Sequence, residues 1–210
     1  MARRTKTDAQ ATRNALLDAA ERLFDEKGVS RTSLQDIAQT AGATRGAVYW
    51  HFKDKADLFN AMMERTTASL DALARTPEAL AQPGMGPYVE SMVQVLQRIA
   101  TDAALCRVLR IATYRIEYVE ELGAVQARHL QVHRQWLAHN RAALERAFAA
   151  SACPAQVPPE VAALGLQVLI EGLLHSWLLD PGAFDLVQAG RSTIATYLRG
   201  LGIAAPPPPG

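Results

Sequence analysis

The stretch that most constrains what this chain can fold into is Thr32 to Phe59, TSLQDIAQTAGATRGAVYWHFKDKADLF. Ser33, Leu34, Gln35 and Asp36 fit a capping box, with an acid in the first turn of the helix they open. Leu34, Ile37, Ala38 and Ala41 then recur at helical spacing and mark an inward face. Gly42 stands where a residue of positive φ ends the helix, and Ala43 crosses the turn. Thr44 is placed to cap a second short helix, Arg45 to His51, whose outward positions are read as Arg45, Ala47, Tyr49 and His51. Two short helices joined by a tight turn, with a third starting at Asp54, make a helix-turn-helix.

The residue types suit a DNA major groove one by one. Arg45 can pair bidentately with a guanine edge or hold a phosphate, and Ala47 can touch a thymine methyl. Gly46 lets the backbone approach a duplex closely. Tyr49 and His51 offer polar tips to phosphates, and Lys55, in the first turn of the next helix, offers a cation beside free amides. The expected DNA-facing set is Ser33, Thr44, Arg45, Gly46, Ala47, Tyr49, His51 and Lys55. Trp50 and Phe52 are expected to pack, since one of them must close the core behind the reading helix.

AGATRGAVYWHFKDKADLF, preceded by SLQDIA, closely resembles the signature of the TetR/AcrR family of bacterial transcriptional regulators, nearest to the subgroup that represses multidrug efflux pump operons. The resemblance covers about residues 10–70; beyond it, the opening MARRTKTDAQATR and the later WLLDP are similar to the same subgroup. Ala43 departs from the Val common there, at a position that touches no expected DNA contact. The resemblance implies an all-α homodimer with an N-terminal DNA-binding domain and a variable C-terminal domain for ligand binding and dimerisation, the last two helices forming the dimer interface.

Charge sharpens this only slightly. The net charge is +1, and residues 1–60 carry ten Lys or Arg against eight Asp or Glu, so DNA affinity must come from placed cations. Cys106 and Cys153 suggest neither a disulfide scaffold nor a thiolate metal cluster. No apolar run is read as reaching membrane length and no signal peptide is visible, which leads to the expectation of a soluble cytoplasmic protein. Four segments follow: a basic flexible arm over 1–8, a DNA-binding domain over 9–60, a ligand-binding and dimerisation domain over 61–203, and a Pro-rich tail over 204–210.

In the arm, Arg3, Arg4 and Lys6 could reach DNA or simply keep the end solvated. Leu16, Ala19, Ala20, Leu23 and Phe24 form one apolar stripe of a helix ending at Lys27 and Gly28. Arg13, on the polar side, is read as a solvated charge rather than a phosphate contact. A long helix is predicted from Lys55 to about Leu80, the one evident mechanical link between the domains, followed by a Pro/Gly-rich loop over 76–87. Helices are then predicted over about 88–101, around 105–112, and over 117–150. His129 and His133 are four apart but lack a third ligand, so no metal site is expected. The last two helices, about 160–179 and 183–201, flank Asp180-Pro181-Gly182. The first contains VLIEGLLHSWLL and is expected to be buried on several sides; the second carries Val187, Ile194, Leu198 and Leu201 along one face. Their combined apolar surface suggests an isologous four-helix interface.

These features favour a ligand-responsive repressor over a constitutive or architectural DNA-binding protein, which would not need about 150 further residues. No H-E-x-x-H, G-x-S-x-G or P-loop pattern points to an enzyme, and no cofactor is implied. The expected partners are a near-palindromic operator duplex, a second copy of the chain and a hydrophobic inducer. Met62, Met92, Leu96, Leu109, Val168 and Trp177 are the candidate apolar lining of an inducer cavity, with Thr113, Glu171 and His175 as its polar members. Glu171 interrupts the most apolar helix, so it needs either an internal partner such as His175 or a ligand.

Overall fold

A computed structural model describes residues 6–74, 84–117, 119–151 and 157–203. Within them lie nine α-helices: α1 (Lys6–Lys27), α2 (Leu34–Thr40), α3 (Arg45–His51), α4 (Lys55–Ala74), α5 (Gly86–Thr101), α6 (Ala103–Tyr114), α7 (Gly123–Ala150), α8 (Pro159–Leu179) and α9 (Leu186–Gly200). A 3₁₀ turn over Glu120–Leu122 precedes α7. No strand occurs among the described residues, as the all-α expectation requires. Lys6 to Asp8, expected in the flexible arm, already belong to α1, where the Thr12 hydroxyl donates to the Asp8 carbonyl. The rest of the arm, most of the 76–87 loop, Cys153 and the Pro-rich tail lie outside the described residues.

The chain forms two compact units that do not follow the sequence boundary at residue 60. One comprises Met1–Thr67 with Ala104–Leu130, the other Ala68–Ala103 with Gln131–Gly210. The reason is a shared core. Leu16, Leu17, Ala20, Leu23 and Phe24 of α1 meet Ile37, Ala38, Val48 and Phe52, and the same cluster takes in Leu58, Phe59 and Met62 of α4. Val108, Ile111, Leu122 and Val125 complete it from the later segment. Each such side chain contributes on the order of 1.5–3 kcal/mol by leaving water, so 104–130 is an integral part of this unit.

α1 and α4 are also tied to α6 by charge. Arg110 makes two 2.9 Å contacts with the Asp25 carboxylate, and Arg65 lies 2.7 Å from Asp18. Between them Glu21 is buried, 3.0 Å from Arg107 and 3.5 Å from Arg65. Burial nevertheless pushes its carboxyl above the ordinary range, outweighing the two arginines.

In the second unit α9 packs on α5 and α8. Two glycines permit the approach: a β-carbon at Gly190 would overlap Leu96 Cδ1, and one at Gly165 would overlap the Tyr197 hydroxyl. Asp185 caps α9 by accepting from the amides of Val187 and Gln188, so that helix starts at Leu186 rather than at Ala183. Tyr88, wholly buried, donates to Asn140 Oδ1 at 2.6 Å, and Asn140 donates to Gln167 Oε1 at 2.7 Å.

Helix α8 corrects two expectations. With 21 residues and few charges, it is by length and composition long and apolar enough to cross a membrane. The expectation that no apolar run reaches that length therefore does not hold for α8, whose apolar stretch is long enough despite Glu171. Nor is the helix buried on several sides: 33% of its most apolar stretch is buried, and Val161 (56% exposed), Leu164 (49%), Val168 (56%) and Leu179 (72%) face outward. The surplus apolar surface lies there and not on α9, whose Ile194 and Leu198 are completely buried within the chain.

Candidate nucleic-acid interface

Local chemistry fixes the two short helices as the sequence suggests. The amide of Asp36 donates to the Ser33 hydroxyl at 3.1 Å, while the Ser33 amide and hydroxyl both donate to Asp36 Oδ2, at 3.0 and 2.8 Å. These bonds hold the Asp36 carboxyl below its ordinary pKa, the hydroxyl contributing most. At the other end Gly42 takes φ 64°, with Ala43 N donating to Ala38 O and Gly42 N to Gln39 O, a Schellman closure. Thr44 then caps α3 by accepting from the Ala47 amide at 3.2 Å.

The outward stripe of α3 differs from the sequence expectation. Arg45, Gly46, Tyr49 and Trp50 are exposed, Ala47 and His51 are half-buried, and Val48 is core. Reading Arg45, Ala47, Tyr49 and His51 as one face imposed a period of two on a helix of 3.6 residues per turn; positions 45 and 49, and 46 and 50, are the true neighbours. Trp50, expected to pack, is 72% exposed, and Phe52 alone closes the core. The His51 ring is instead held between its neighbours, 4.5 Å edge-on from Trp50 and 6.1 Å from Phe52. Arg13, expected as a solvated charge, places its guanidinium 5.2 Å from the centre of the Phe52 ring. Arg45 lies across Tyr49, with its Nη2 donating to the phenol oxygen at 3.3 Å, so that cation and aromatic tip are presented together.

Lys55 also departs from expectation. Its side chain is 6% exposed, and Nζ faces the carbonyls of Ser30 (3.4 Å) and Thr32 (3.2 Å) and the Glu121 carboxylate (3.2 Å). It is therefore not presented as a phosphate-binding cation. Lys53, just beyond α3 and not among the expected contacts, is exposed, and its amide donates to Asp57 Oδ2 at 2.9 Å. Helix α4 is capped by Asp54, which accepts from the Asp57 amide at 2.8 Å. Ser33, Arg45, Tyr49 and Lys55 share a cleft of about 420 Å³ with Ser30, Arg31, Gln35 and Glu121.

A compact capped helix-turn-helix with an exposed Arg-Gly-Tyr-Trp face is the geometry of a major-groove reader. The N-terminal part matches the family model "Bacterial regulatory proteins, tetR family" over residues 16–62, and the remainder matches "MAATS-type transcriptional repressor, C-terminal region" over 87–203. The chain belongs to the TetR family. Among TetR-family relatives, it is 36% identical to the HTH-type transcriptional regulator AcrR of Shigella flexneri over 200 residues, covering 94% of this chain and 93% of that one. The solved structure of NalD, the secondary repressor of the MexAB-OprM multidrug efflux pump in Pseudomonas aeruginosa, superimposes with a TM-score of 0.84 at 36% identity, covering 93% of this chain and 98% of NalD. A SmeT–triclosan complex superimposes with a TM-score of 0.76 at 29% identity, covering 96% and 100%. This TetR-family chain is thus a DNA-binding transcriptional regulator, in a family whose members bind operators and small molecules as dimers.

The nine residues expected around an inducer fall into both compact units. Met62, Leu109 and Thr113 belong to the first: Met62 is core, Leu109 half-buried, and Thr113 exposed, with its hydroxyl donating to the Leu109 carbonyl at 2.8 Å. Met92, Leu96 and Trp177 are buried in the second, whereas Val168, Glu171 and His175 are exposed on α8. Trp177 lines a cleft of about 740 Å³ with Gln97, Phe184, Leu186, Val187 and Arg191; the other eight do not. Glu171 has internal partners: Oε1 accepts from Gln167 and lies 3.0 Å from His133 Nδ1. Gln167 and Glu171 are one helical turn apart and bracket the approach of α7, a relation that sequence distance from residue 133 hides.

Proposed function

We propose that this protein is a ligand-responsive repressor of a multidrug efflux operon, acting in the cytoplasm and released from a near-palindromic operator by a hydrophobic small molecule. The observation that carries the reading is the conjunction of a capped reading helix, presenting Arg45, Gly46, Tyr49 and Trp50, with matches spanning nearly the whole chain to efflux-pump repressors. The triclosan complex of SmeT supports the choice of effector class. Thr44 and Ser33 hold the helix-turn-helix in register through their caps, Arg45 and Tyr49 meet the groove, and Lys53 meets the backbone.

A homodimer is assigned to the outward face of α8, where Val161, Leu164, Val168 and Leu179 would otherwise remain in water. Two copies held there must place their reading helices roughly 34–36 Å apart to enter successive major grooves. An effector that binds better to a different spacing draws the population away from the operator, and a coupling of roughly 1–3 kcal/mol is enough for a measurable switch.

The test is a titration of the protein–operator complex with a panel of hydrophobic antimicrobials, followed by chromatographic recovery of the compound. Release of DNA with the compound returned unchanged is expected. A complex that no compound releases would point to a constitutive DNA-binding protein, and a chemically altered compound to an enzyme.

A further inference from the structure

We propose that Lys55 and Glu121 are positioning residues for operator reading, acting through the loop that leads into α2 and not by touching DNA. The inference deepens the DNA-binding reading of this same face.

An ammonium has three donors. In Lys55 they are met by three acceptors, the carbonyls of Ser30 and Thr32 and the carboxylate of Glu121, all within 3.4 Å. Nothing is left over for a phosphate oxygen, and a buried cation that turned outward would leave two carbonyls and a carboxylate behind. The carbonyls it holds belong to the residues just before Ser33, the cap of α2. The rest of that loop is gripped from the same side. Val29 N donates to the Arg115 carbonyl at 2.9 Å, a β-carbon at Gly28 (φ 85°) would stand 3.5 Å from that oxygen, and the Thr32 hydroxyl, buried, donates to the Gly28 carbonyl at 2.8 Å. Glu121 stands on the 3₁₀ turn whose Leu122 is completely buried in the shared core, so the carboxylate is held by a fixed support although half-exposed itself. The first turn of α4, the loop entering α2 and the segment 115–122 thus meet at one ammonium. Shifting the loop would move the Ser33–Asp36 cap and, through Ile37, Ala38 and Val48, the seat of the reading helix.

The assay uses duplexes selected from a random pool by the full-length wild-type protein, with an unselected duplex of equal length as control. Binding isotherms at several salt concentrations are taken for Lys55→Met, Glu121→Gln, their double variant and Lys53→Met, at a temperature where each is folded by circular dichroism. Lys55→Met is expected to weaken selected-duplex binding about tenfold while the slope of log K against log salt stays that of wild type, since no phosphate contact is lost. Lys53→Met is expected to lower that slope by about one. Glu121→Gln, at a half-exposed and readily tolerated position, should weaken selected binding in the same direction, with the double variant no worse than Lys55→Met alone. A slope reduced by about one in Lys55→Met would restore the phosphate contact and overturn the proposal. So would additive effects of the two substitutions, or a lowered melting temperature with unchanged affinity, which would make the pair merely structural. Failure of the wild type to enrich any duplex would instead strike the DNA-binding reading itself.

Discussion

Replacing Gly165 by Ala offers a sharp test of the helix packing, because local propensity and tertiary geometry make opposite demands. In an isolated helix the change would gain about 1 kcal/mol. Here the new β-carbon would overlap the Tyr197 hydroxyl and lie 3.0 Å from the ring carbon that bears it, Cζ. Tyr197 is a rigid ring whose hydroxyl donates to the Ala162 carbonyl at 2.9 Å, so it cannot swing aside and keep that bond. Overpacking costs about 1–3 kcal/mol and the lost hydrogen bond about 0.5–1.5 kcal/mol. After the propensity gain, a net destabilisation of about 0.5–3.5 kcal/mol is expected. Tyr197→Phe alone should cost only the hydrogen bond, about 0.5–1.5 kcal/mol. With the nearest clashing atom gone, Gly165→Ala should cost at least about 1 kcal/mol less in the Tyr197→Phe background than in wild type. The assay is urea unfolding of the four proteins at one fixed concentration, because self-association adds to apparent stability. Equal costs in the two backgrounds, or a stabilised Gly165→Ala single variant, would refute the argument.

Arg45→Ala should weaken selected-operator binding by about 1–3 kcal/mol and relax base preference at one position, as read by isotherms on a panel of mutated duplexes. Val168→Arg, which puts a charge on the outward face of α8, should give monomers in sedimentation velocity and lose selected-operator binding with them; an intact dimer would move the interface elsewhere. Glu21 sets a pH dependence. Its folded pKa lies above the unfolded one, so its contribution is full below the unfolded value, about 4.3, and is lost as pH rises through the folded value. Glu21→Gln, with Arg65 still paired to Asp18, should therefore be at least as stable as wild type at pH 7 and lose that advantage near pH 4, measured as the difference in melting temperature. A variant distinctly less stable than wild type at pH 7 would show that the two arginines dominate.

The fold was legible where one turn of sequence carries its own chemistry. Ser33–Asp36, Gly42, Thr44 and Asp54 satisfy backbone groups within a few residues, and the structure uses each as its spacing suggests. Helix existence was legible for the same reason. What could not be read was assignment between elements. Nothing local announces that Val108, Ile111 and Leu122 complete the core under α1 to α4, because an apolar stripe states that a face is buried and not against what. The same gap separates α8 from α9: both are apolar on paper, yet Ile194 and Leu198 are spent inside the chain while Val161 and Val168 are left outside.

At the reading helix the failures had two different causes. The choice of His51 over Trp50 was an error of period, and counting 3.6 residues per turn from the buried Val48 and Phe52 would have put Trp50 outside. Lys55 was a different matter, since a lysine in the first turn of a helix beside a DNA-facing segment has two uses that look identical in sequence. Its long stem can carry the ammonium outward to a phosphate or inward to orphaned carbonyls, and only the number of acceptors within reach decides. Here the inward choice is enforced by a residue far along the chain, Glu121, on a 3₁₀ turn anchored by Leu122. The consequence for the regulator is specific. On the reading proposed above, Arg45 and Lys53 make salt-dependent contacts at the surface while Lys55 governs geometry, so affinity and discrimination at the operator should respond separately to substitution at the neighbouring Lys53 and Lys55.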